Sequence, residues 1–201
     1  FSSNDAWPYD WSEFCVVGCT DPEASNYDPD AAEDDGSCCI ELWSICYNIE
    51  ETDSLDLSWN QINGEEIPPE IGKLTNLTYL NLYYNQLIGE IPAEIGNLTK
   101  LTYLRLTTNY LSGEIPPEIG NLTNLTYLSL LSNQFTGEIP PEIGNLANLT
   151  TLKLYHNELT GLIPASVCDL PLDFTSKDDF NVDDNYLCPP YPECLTPQVV
   201  G

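Results

Sequence analysis

Residues 98–121, LTKLTYLRLTTNYLSGEIPPEIGN, are one copy of a unit that recurs along most of the chain. Its pattern is Leu98-x-x-Leu101-x-x-Leu104-x-Leu106-x-x-Asn109-x-Leu111-x-Gly113-x-Ile115-Pro116-x-x-Ile119-Gly120. The asparagine recurs at spacings of 25, 24, 24 and 24 residues, at Asn60, Asn85, Asn109, Asn133 and Asn157. Self-similarity at such a fixed period predicts stacked structural repeats.

The physical chemistry of one unit predicts how it folds. Leu104 and Leu106 alternate with period two, which indicates a short strand with both leucines pointing inward. Asn109 follows where the chain must turn, so we expect its side-chain amide to bond the backbone of a neighbouring coil. Gly113 tolerates a backbone conformation closed to other residues, and Ile115-Pro116 predicts extended chain. Since one unit cannot bury its own leucines, stacked units must share one core, which predicts a slightly curved parallel β-solenoid.

The repeated pattern resembles the plant-type leucine-rich repeat over roughly residues 49–187, with nearly every consensus position matched in four successive units. The resemblance implies a right-handed leucine-rich-repeat superhelix, a β-solenoid of the α/β repeat class. Short parallel strands, little regular helix and disulfide caps at both ends are expected. Cys39…Trp43…Cys46 is similar to the family's N-cap and Leu187-Cys188…Cys194 to its C-cap. Cys39–Cys46 and Cys188–Cys194 are plausible local pairs within these caps.

These patterns divide the chain into four parts. We predict an aromatic arm over residues 1–18, a cysteine-rich acidic loop with the N-cap over 19–48, leucine-rich repeats over 49–167, and a degenerate last repeat with a disulfide C-cap over 168–201. The arm either folds back onto the cap or packs on another molecule. Its aromatic residues are Phe1, Trp7, Tyr9, Trp11 and Phe14.

Composition excludes several classes of function. The 201 residues include 32 Asp and Glu but 5 Lys and Arg, a formal charge of −27 that argues against nucleic-acid binding. At 42% apolar residues the chain is no disordered acidic tail, and no run of about 18 apolar residues predicts membrane insertion. Eight cysteines indicate an oxidising compartment. With no methionine, even at position 1, we expect a secreted, extracellular protein whose leader has been removed.

The acidic loop is bounded by Cys19 and Cys38, which form a plausible local pair, and resembles a short motif of secreted proteins from aquatic microbes. One interpretation is a calcium site, because Ca²⁺ takes six to eight oxygen ligands. The other is a series of turns capped by Asp and Asn side chains. The spacing does not fit the twelve-residue helix-loop-helix pattern, which favours the turns. Calcium is the one cofactor considered, with Asp21, Asp28, Asp30, Asp34 and Asp35 as candidate ligands.

These pairings leave Cys15 and Cys168, one toward each end of the chain. Five strand spacings separate the ends of the solenoid by on the order of 24 Å, whereas a disulfide needs Cα atoms within about 7 Å. The two thiols are therefore expected either to bond between molecules or to stay free and buried. Bonding between molecules would join copies head to tail, and such contacts give open filaments when the rotation does not close.

Two surface features repeat with the unit. Asn-x-Thr sequons predict rows of N-linked glycans. The alternative is that they are by-products of the residues that commonly occupy these positions of the repeat. They lie at Asn76, Asn97, Asn121, Asn124 and Asn148. An aromatic stripe on the strand face is either a ligand-binding strip or cross-strand stacking of residues that favour strands. It comprises Trp59, Tyr79, Tyr83, Tyr103, Tyr127 and Tyr155, with Tyr84 and His156 nearby.

The sequence predicts no enzyme, because His156 is the single histidine and no nucleophile–base pairing is evident. Our main hypothesis is a glycosylated structural protein whose copies assemble end to end into an extracellular fibril. Nearly identical repeats, which leave little variation for a ligand code, favour it. The alternative is recognition of a protein or peptide on the concave face. The resemblance implies that alternative, because plant inhibitors and receptor ectodomains use this repeat.

Overall fold

The computed structural model describes residues 17–195, in which an acidic loop and a hairpin cap precede a coil of stacked repeats, as predicted. Each repeat contributes one short strand to a parallel sheet of six strands, and all but the two terminal repeats closely resemble one another. The strands in chain order are β1 Val17–Gly18, β2 Glu33–Asp34, β3 Cys39–Leu42, β4 Ile45–Asn48, β5 Ser54–Asp56, β6 Tyr79–Asn81, β7 Tyr103–Arg105, β8 Ser112–Glu114, β9 Tyr127–Ser129, β10 Gln134–Thr136, β11 Thr151–Lys153, β12 Thr160–Gly161, β13 Phe180–Asn181 and β14 Tyr186–Leu187.

The six-stranded sheet runs β13-β11-β9-β7-β6-β5 with equivalent residues side by side, so that Leu80, Leu104 and Leu128 align. Short 3-10 helices form the opposite wall, and each begins directly after the repeat's Ile-Pro. Proline fixes φ and disfavours helix in the preceding residue, so the chain stays extended up to this point. The helices are Pro69–Lys73, Ala93–Asn97, Pro117–Asn121, Pro141–Asn145 and Ala165–Asp169.

Leucine and isoleucine side chains fill the space between the two walls. Leu104, Leu106 and Ile119 are fully buried, as are their equivalents in the neighbouring central repeats. The asparagine ladder holds the turns as predicted: the Asn109 amide donates to the carbonyls of Leu82 and Leu106 at 3.0 Å, and its oxygen accepts from Leu87 N at 3.1 Å. Gly113 has φ of 77°, the left-handed conformation expected there.

The N-terminal cap is an antiparallel hairpin of β3 and β4 that covers the first coil with the buried side chains of Ile40 and Leu42. Cys39–Cys46 joins its strands, and Cys19–Cys38 closes the acidic loop, so both predicted pairs are formed. The Lys73 ammonium donates to Glu23 O at 2.7 Å, which fastens the loop to the first 3-10 helix.

The C-terminal disulfide corrects two predictions. Cys168 bonds Cys194 with Cα atoms 5.6 Å apart, so the predicted Cys188–Cys194 pair is wrong, and so is a Cys168 left for another molecule. Within residues 17–195, Cys188 is the cysteine without a sulfur partner, and it is exposed. Residues 1–16 of the predicted aromatic arm over 1–18, Cys15 among them, lie outside the described residues.

The repeat explains why Cys168 takes this role. It stands 24 residues after Gly144, which itself follows Gly120 by 24. At those glycines a Cβ would lie 2.4 Å from Ser166 Cβ and 2.5 Å from Glu142 O of the next coil. In the described residues no further 3-10 helix stacks on Ala165–Asp169, so a side chain has room there and reaches Cys194 of the C-terminal cap.

We expect loss of this disulfide to cost stability, whereas loss of the Cys188 thiol should not. Closing a loop with a sequence separation of 26 residues stabilises a fold by about 3.5 kcal/mol in the chain-entropy estimate. Cys194→Ser should therefore lower the free energy of unfolding in urea by roughly that amount, and Cys188→Ser should leave it unchanged. Peptide mapping without reduction checks the pairing, and a Cys188–Cys194 peptide would contradict it.

Candidate functional site

The concave face of the six-stranded sheet carries the side chains that alternate with the buried leucines. In β7, the Leu104 side chain points into the core, so the side chains of Tyr103 and Arg105 lie on the concave face. Parallel register then aligns equivalent positions across strands, and one row runs Asn81, Arg105, Ser129, Lys153. The sheet therefore places residues 24 apart in sequence about 4.8 Å apart in space.

Three tyrosines in the adjacent row form a stacked ladder. The ring centroids of Tyr79 and Tyr103 are 4.5 Å apart, and those of Tyr103 and Tyr127 are 4.4 Å apart, with interplanar angles of 11° and 9°. The rings thus pack by the cross-strand stacking that was one interpretation of the stripe. All three are half-buried, so part of each side chain remains accessible to solvent.

A second aromatic cluster lies at the N-terminal end of the sheet. Trp59 stacks on Tyr84 with centroids 3.7 Å apart and meets the Tyr83 ring edge-on at 5.5 Å. The Arg105 guanidinium carbon lies 3.9 Å from the centre of the Tyr83 ring, a cation–π contact. Trp59 remains 58% exposed and Tyr84 47%, unusually high for side chains of this size. We call Trp59, Tyr83, Tyr84 and Arg105 the aromatic cluster.

The predicted stripe is thus divided into separate groups. Tyr79, Tyr103 and Tyr127 form the ladder, Trp59 and Tyr83 belong to the aromatic cluster, and Tyr155 lies two strands beyond the cluster, against His156 at 5.2 Å. Sequence reasoning missed Arg105 and Lys153, two of the five basic residues. The signal was available, because each stands two positions after the outward residue that begins its strand.

Burial raises the pKa of Tyr103 to about 12, with the neighbouring Tyr127 adding to the rise and the Arg105 charge opposing it. In the unfolded chain the pKa of the tyrosine hydroxyl is 10.0, so between pH 10 and 12 the folded state holds a proton that the unfolded state has lost. The stabilisation of the fold that comes from this hydroxyl is therefore present in full below pH about 10 and is lost as the pH rises toward 12. We expect the Tyr103→Phe variant to lack the tyrosine ionisation that occurs at the highest pH. Ultraviolet absorbance during a pH titration measures the ionisation. An unchanged titration curve would contradict this.

The acidic loop contains capped turns. Asp21, Asp28, Asp34 and Asp35 each accept a hydrogen bond at 2.9 Å from the backbone N–H two residues ahead. Within residues 17–195, no three His, Cys, Asp or Glu side chains lie close enough together to hold a metal ion. The predicted calcium ligands, Asp30 included, are therefore not gathered into one site.

The sequons lie on the flank of the coil between the 3-10 helices and the strands. Asn124 and Asn148 donate through their side-chain amides to Thr99 O and Thr123 O of the preceding coil, both at 2.8 Å. Asn97 and Asn121 are exposed in the next row. A row of exposed threonines runs beside them, and each hydroxyl donates to a carbonyl of the preceding coil at 2.9–3.1 Å; we call Thr78, Thr102, Thr126 and Thr150 the threonine row.

Family comparison identifies the class of protein. A family model described as a leucine-rich repeat region matches residues 54–135, and one described as a leucine rich repeat matches 148–170. The BIR2 ectodomain of Arabidopsis thaliana is 30% identical, with a TM-score of 0.57, and the match covers 71% of each chain. The chain belongs to the leucine-rich-repeat family, in its plant-type extracellular form.

Two further structures bear on function. The plant peptide hormone receptor RGFR1, solved in complex with RGF2, is 36% identical with a TM-score of 0.63 over 69% of this chain. A plant ice-binding protein is 35% identical with a TM-score of 0.58 over 67% of this chain and 42% of its own. The chain spans 22% of the length of RGFR1. No helix in residues 17–195 has the length and apolar character needed to span a bilayer.

Proposed function

We propose that this chain is an extracellular recognition protein that binds a peptide or an extended protein segment on its concave face. The observation that carries the proposal is the exposed aromatic surface there, the tyrosine ladder beside the aromatic cluster. The similar receptor RGFR1, whose structure was solved with RGF2, supports it. This is the alternative rather than the main hypothesis from the sequence.

The aromatic surface has the properties of a binding site. Tyrosine and tryptophan supply large contact areas at low entropic cost and dominate the energetics of many interfaces. Here the stacked rings are already held in place by one another and by the sheet beneath them, so little conformational entropy is lost when a ligand binds. Trp59 at 58% exposed adds an apolar surface that water solvates poorly.

Panning a displayed library of random peptides on the immobilised chain tests the proposal. We expect the recovered peptides to bind roughly tenfold or more weakly to Tyr103→Ser/Tyr127→Ser than to wild type, since central aromatic residues dominate such interfaces. The matched control is Thr126→Ser, one residue from Tyr127 but on the threonine row. Failure to recover binders, or equal binding to both variants, would contradict a concave-face site.

End-to-end assembly, the main hypothesis from the sequence, loses the role predicted for Cys168, which is bonded within the chain, and the exposed Cys188 is the thiol left at that end of the described residues. The similar structures named above are an ectodomain, a receptor complex and an ice-binding protein, and they support recognition better than assembly. Non-reducing gel electrophoresis distinguishes the two hypotheses. A ladder of covalent oligomers that disappears when reductant is added would support the assembly hypothesis.

We also propose that the protein is secreted and glycosylated at some of its five sequons. All are exposed or half-buried on the flank, away from the concave face. Glycans there would leave the peptide site open. Treatment of native material with an N-glycosidase should lower its mass; an unchanged mass would contradict occupancy.

A second candidate is ice binding on the threonine row, favoured by its regular spacing and by the similar plant ice-binding protein. Each threonine hydroxyl is fixed to the coil before it, so the row is rigid and repeats every 24 residues. We expect Thr126→Leu to abolish any inhibition of ice recrystallisation, with Tyr127→Ser as the control. Glycans at Asn97 or Asn124 would cover this flank and argue against the candidate.

A further inference from the structure

Arg105 is held on the concave face without an acidic partner. Its guanidinium carbon lies 3.9 Å from the centre of the Tyr83 ring, and this contact covers one side of the group. The Nε is buried and makes no hydrogen bond within residues 17–195, whereas the terminal nitrogens are not buried and have no hydrogen-bond partner in the same residues. The terminal nitrogens are therefore the donors that Arg105 offers to an incoming acceptor.

The neighbouring carboxylates do not form an ion pair with Arg105. Asp56 is the carboxylate of the same row, and it is occupied by hydrogen bonds from Ser58 and Asn81 at 2.7 Å and 3.3 Å. The ion pairs of residues 17–195 are Lys73–Glu23, His156–Asp184 and Lys177–Asp183, so neither Arg105 nor Lys153 takes part in one. In a chain of formal charge −27, two unpaired cations on one face are a local exception.

We propose that Arg105 and Lys153 bind two carboxylates of an acidic peptide segment that lies across the sheet, with the tyrosine ladder as its floor. This rests on the proposed function and names the chemistry of its ligand. Arginine matches a carboxylate through two parallel N–H···O bonds, which the two terminal nitrogens of Arg105 would supply. Lys153 adds a point charge at the far end of the segment.

The spacing of the two cations sets the spacing of the acids. Arg105 and Lys153 occupy one row, separated by Ser129, so their Cα atoms are two strand spacings, about 10 Å, apart. A peptide in polyproline II conformation repeats every three residues over about 9 Å. Acidic residues at positions i and i+3 would therefore face the two cations together.

The experiment uses the fact that Arg105 is the one arginine of the chain, so that the arginine Nε–H region of a nitrogen–proton NMR spectrum contains one signal. The probes are the peptides recovered by panning, their counterparts with Asp and Glu changed to Asn and Gln, and trigalacturonate. We expect acidic peptides to shift this signal saturably and to bind at least tenfold more tightly than their amide counterparts. Arg105→Gln should abolish that preference and Lys153→Gln should weaken it.

Lys100→Gln is the matched control, because that lysine lies on the flank bonded to Asn76 and should leave binding unchanged. The remaining amide signals of each variant verify that it folds. Peptides that bind on the concave face with no preference for the acidic form would overturn this inference and leave the proposed function intact. If no peptide binds, both fail. A saturable shift with trigalacturonate alone would replace the peptide by an acidic polysaccharide.

Discussion

Asn109→Ala is expected to lower the free energy of unfolding by about 3–5 kcal/mol, because it leaves several buried backbone groups without partners. The Asn109 side chain satisfies Leu82 O, Leu106 O and Leu87 N, two of which belong to the preceding coil. It is 6% exposed, so water cannot replace these bonds. Urea unfolding followed by circular dichroism measures the change.

Asn124→Ala is the matched control for this substitution. Asn124 belongs to the same repeat array, but it is exposed and makes a single bond, to Thr99 O. Substitutions at exposed sites of this kind change stability by about 0.5 kcal/mol. Equal losses in the two variants would show that the buried ladder does not hold the coils together.

Leu128→Ala is expected to cost about 3–5 kcal/mol, the range for a large buried side chain whose cavity cannot collapse. Leu128 is fully buried and lies between Leu104 and Leu152 of the adjoining strands. Its neighbours in sequence, Tyr127 and Ser129, stand on the concave face. The substitution therefore removes support from directly beneath the proposed site, and peptide affinity should fall together with stability.

Leu131→Ala provides the comparison, since Leu131 is half-buried and follows the same strand. Removing a partly exposed side chain loses less transfer free energy and leaves no closed cavity, so we expect about 1 kcal/mol. Thermal unfolding of the two variants beside wild type measures the difference. If Leu131→Ala were as damaging as Leu128→Ala, the assignment of inward and outward positions would be wrong.

Most of the fold was predictable because each position of the repeat has a physical role that recurs in every unit. Alternating Leu104 and Leu106, the turn at Asn109 and the φ of 77° at Gly113 all follow from one unit copied at a fixed period. The C-terminal disulfide was not predicted, because the cysteines were paired by closeness in sequence. Comparing Cys168 with Gly144 by repeat position would have shown that Cys168 replaces a glycine that earlier repeats need for close packing.

The site was predictable in part. The tyrosine ladder follows from residues recurring every 24 positions in a parallel sheet. The stack of Trp59 on Tyr84 has the same basis, because the two residues hold equivalent positions in neighbouring repeats and both have left-handed backbone, with φ of 59° and 56°. The contact of Arg105 with Tyr83 was not predicted, because it joins different repeat positions of two adjacent coils.

Side-chain oxidation by hydroxyl radicals, with and without a panned peptide, tests the concave-face site most directly. We predict that the peptide protects Trp59, Tyr103 and Tyr127, whereas Tyr27 and Tyr186, exposed at 43% and 69% on other surfaces, stay equally reactive. Protection of Tyr27 or Tyr186 with the ladder still reactive would contradict the account.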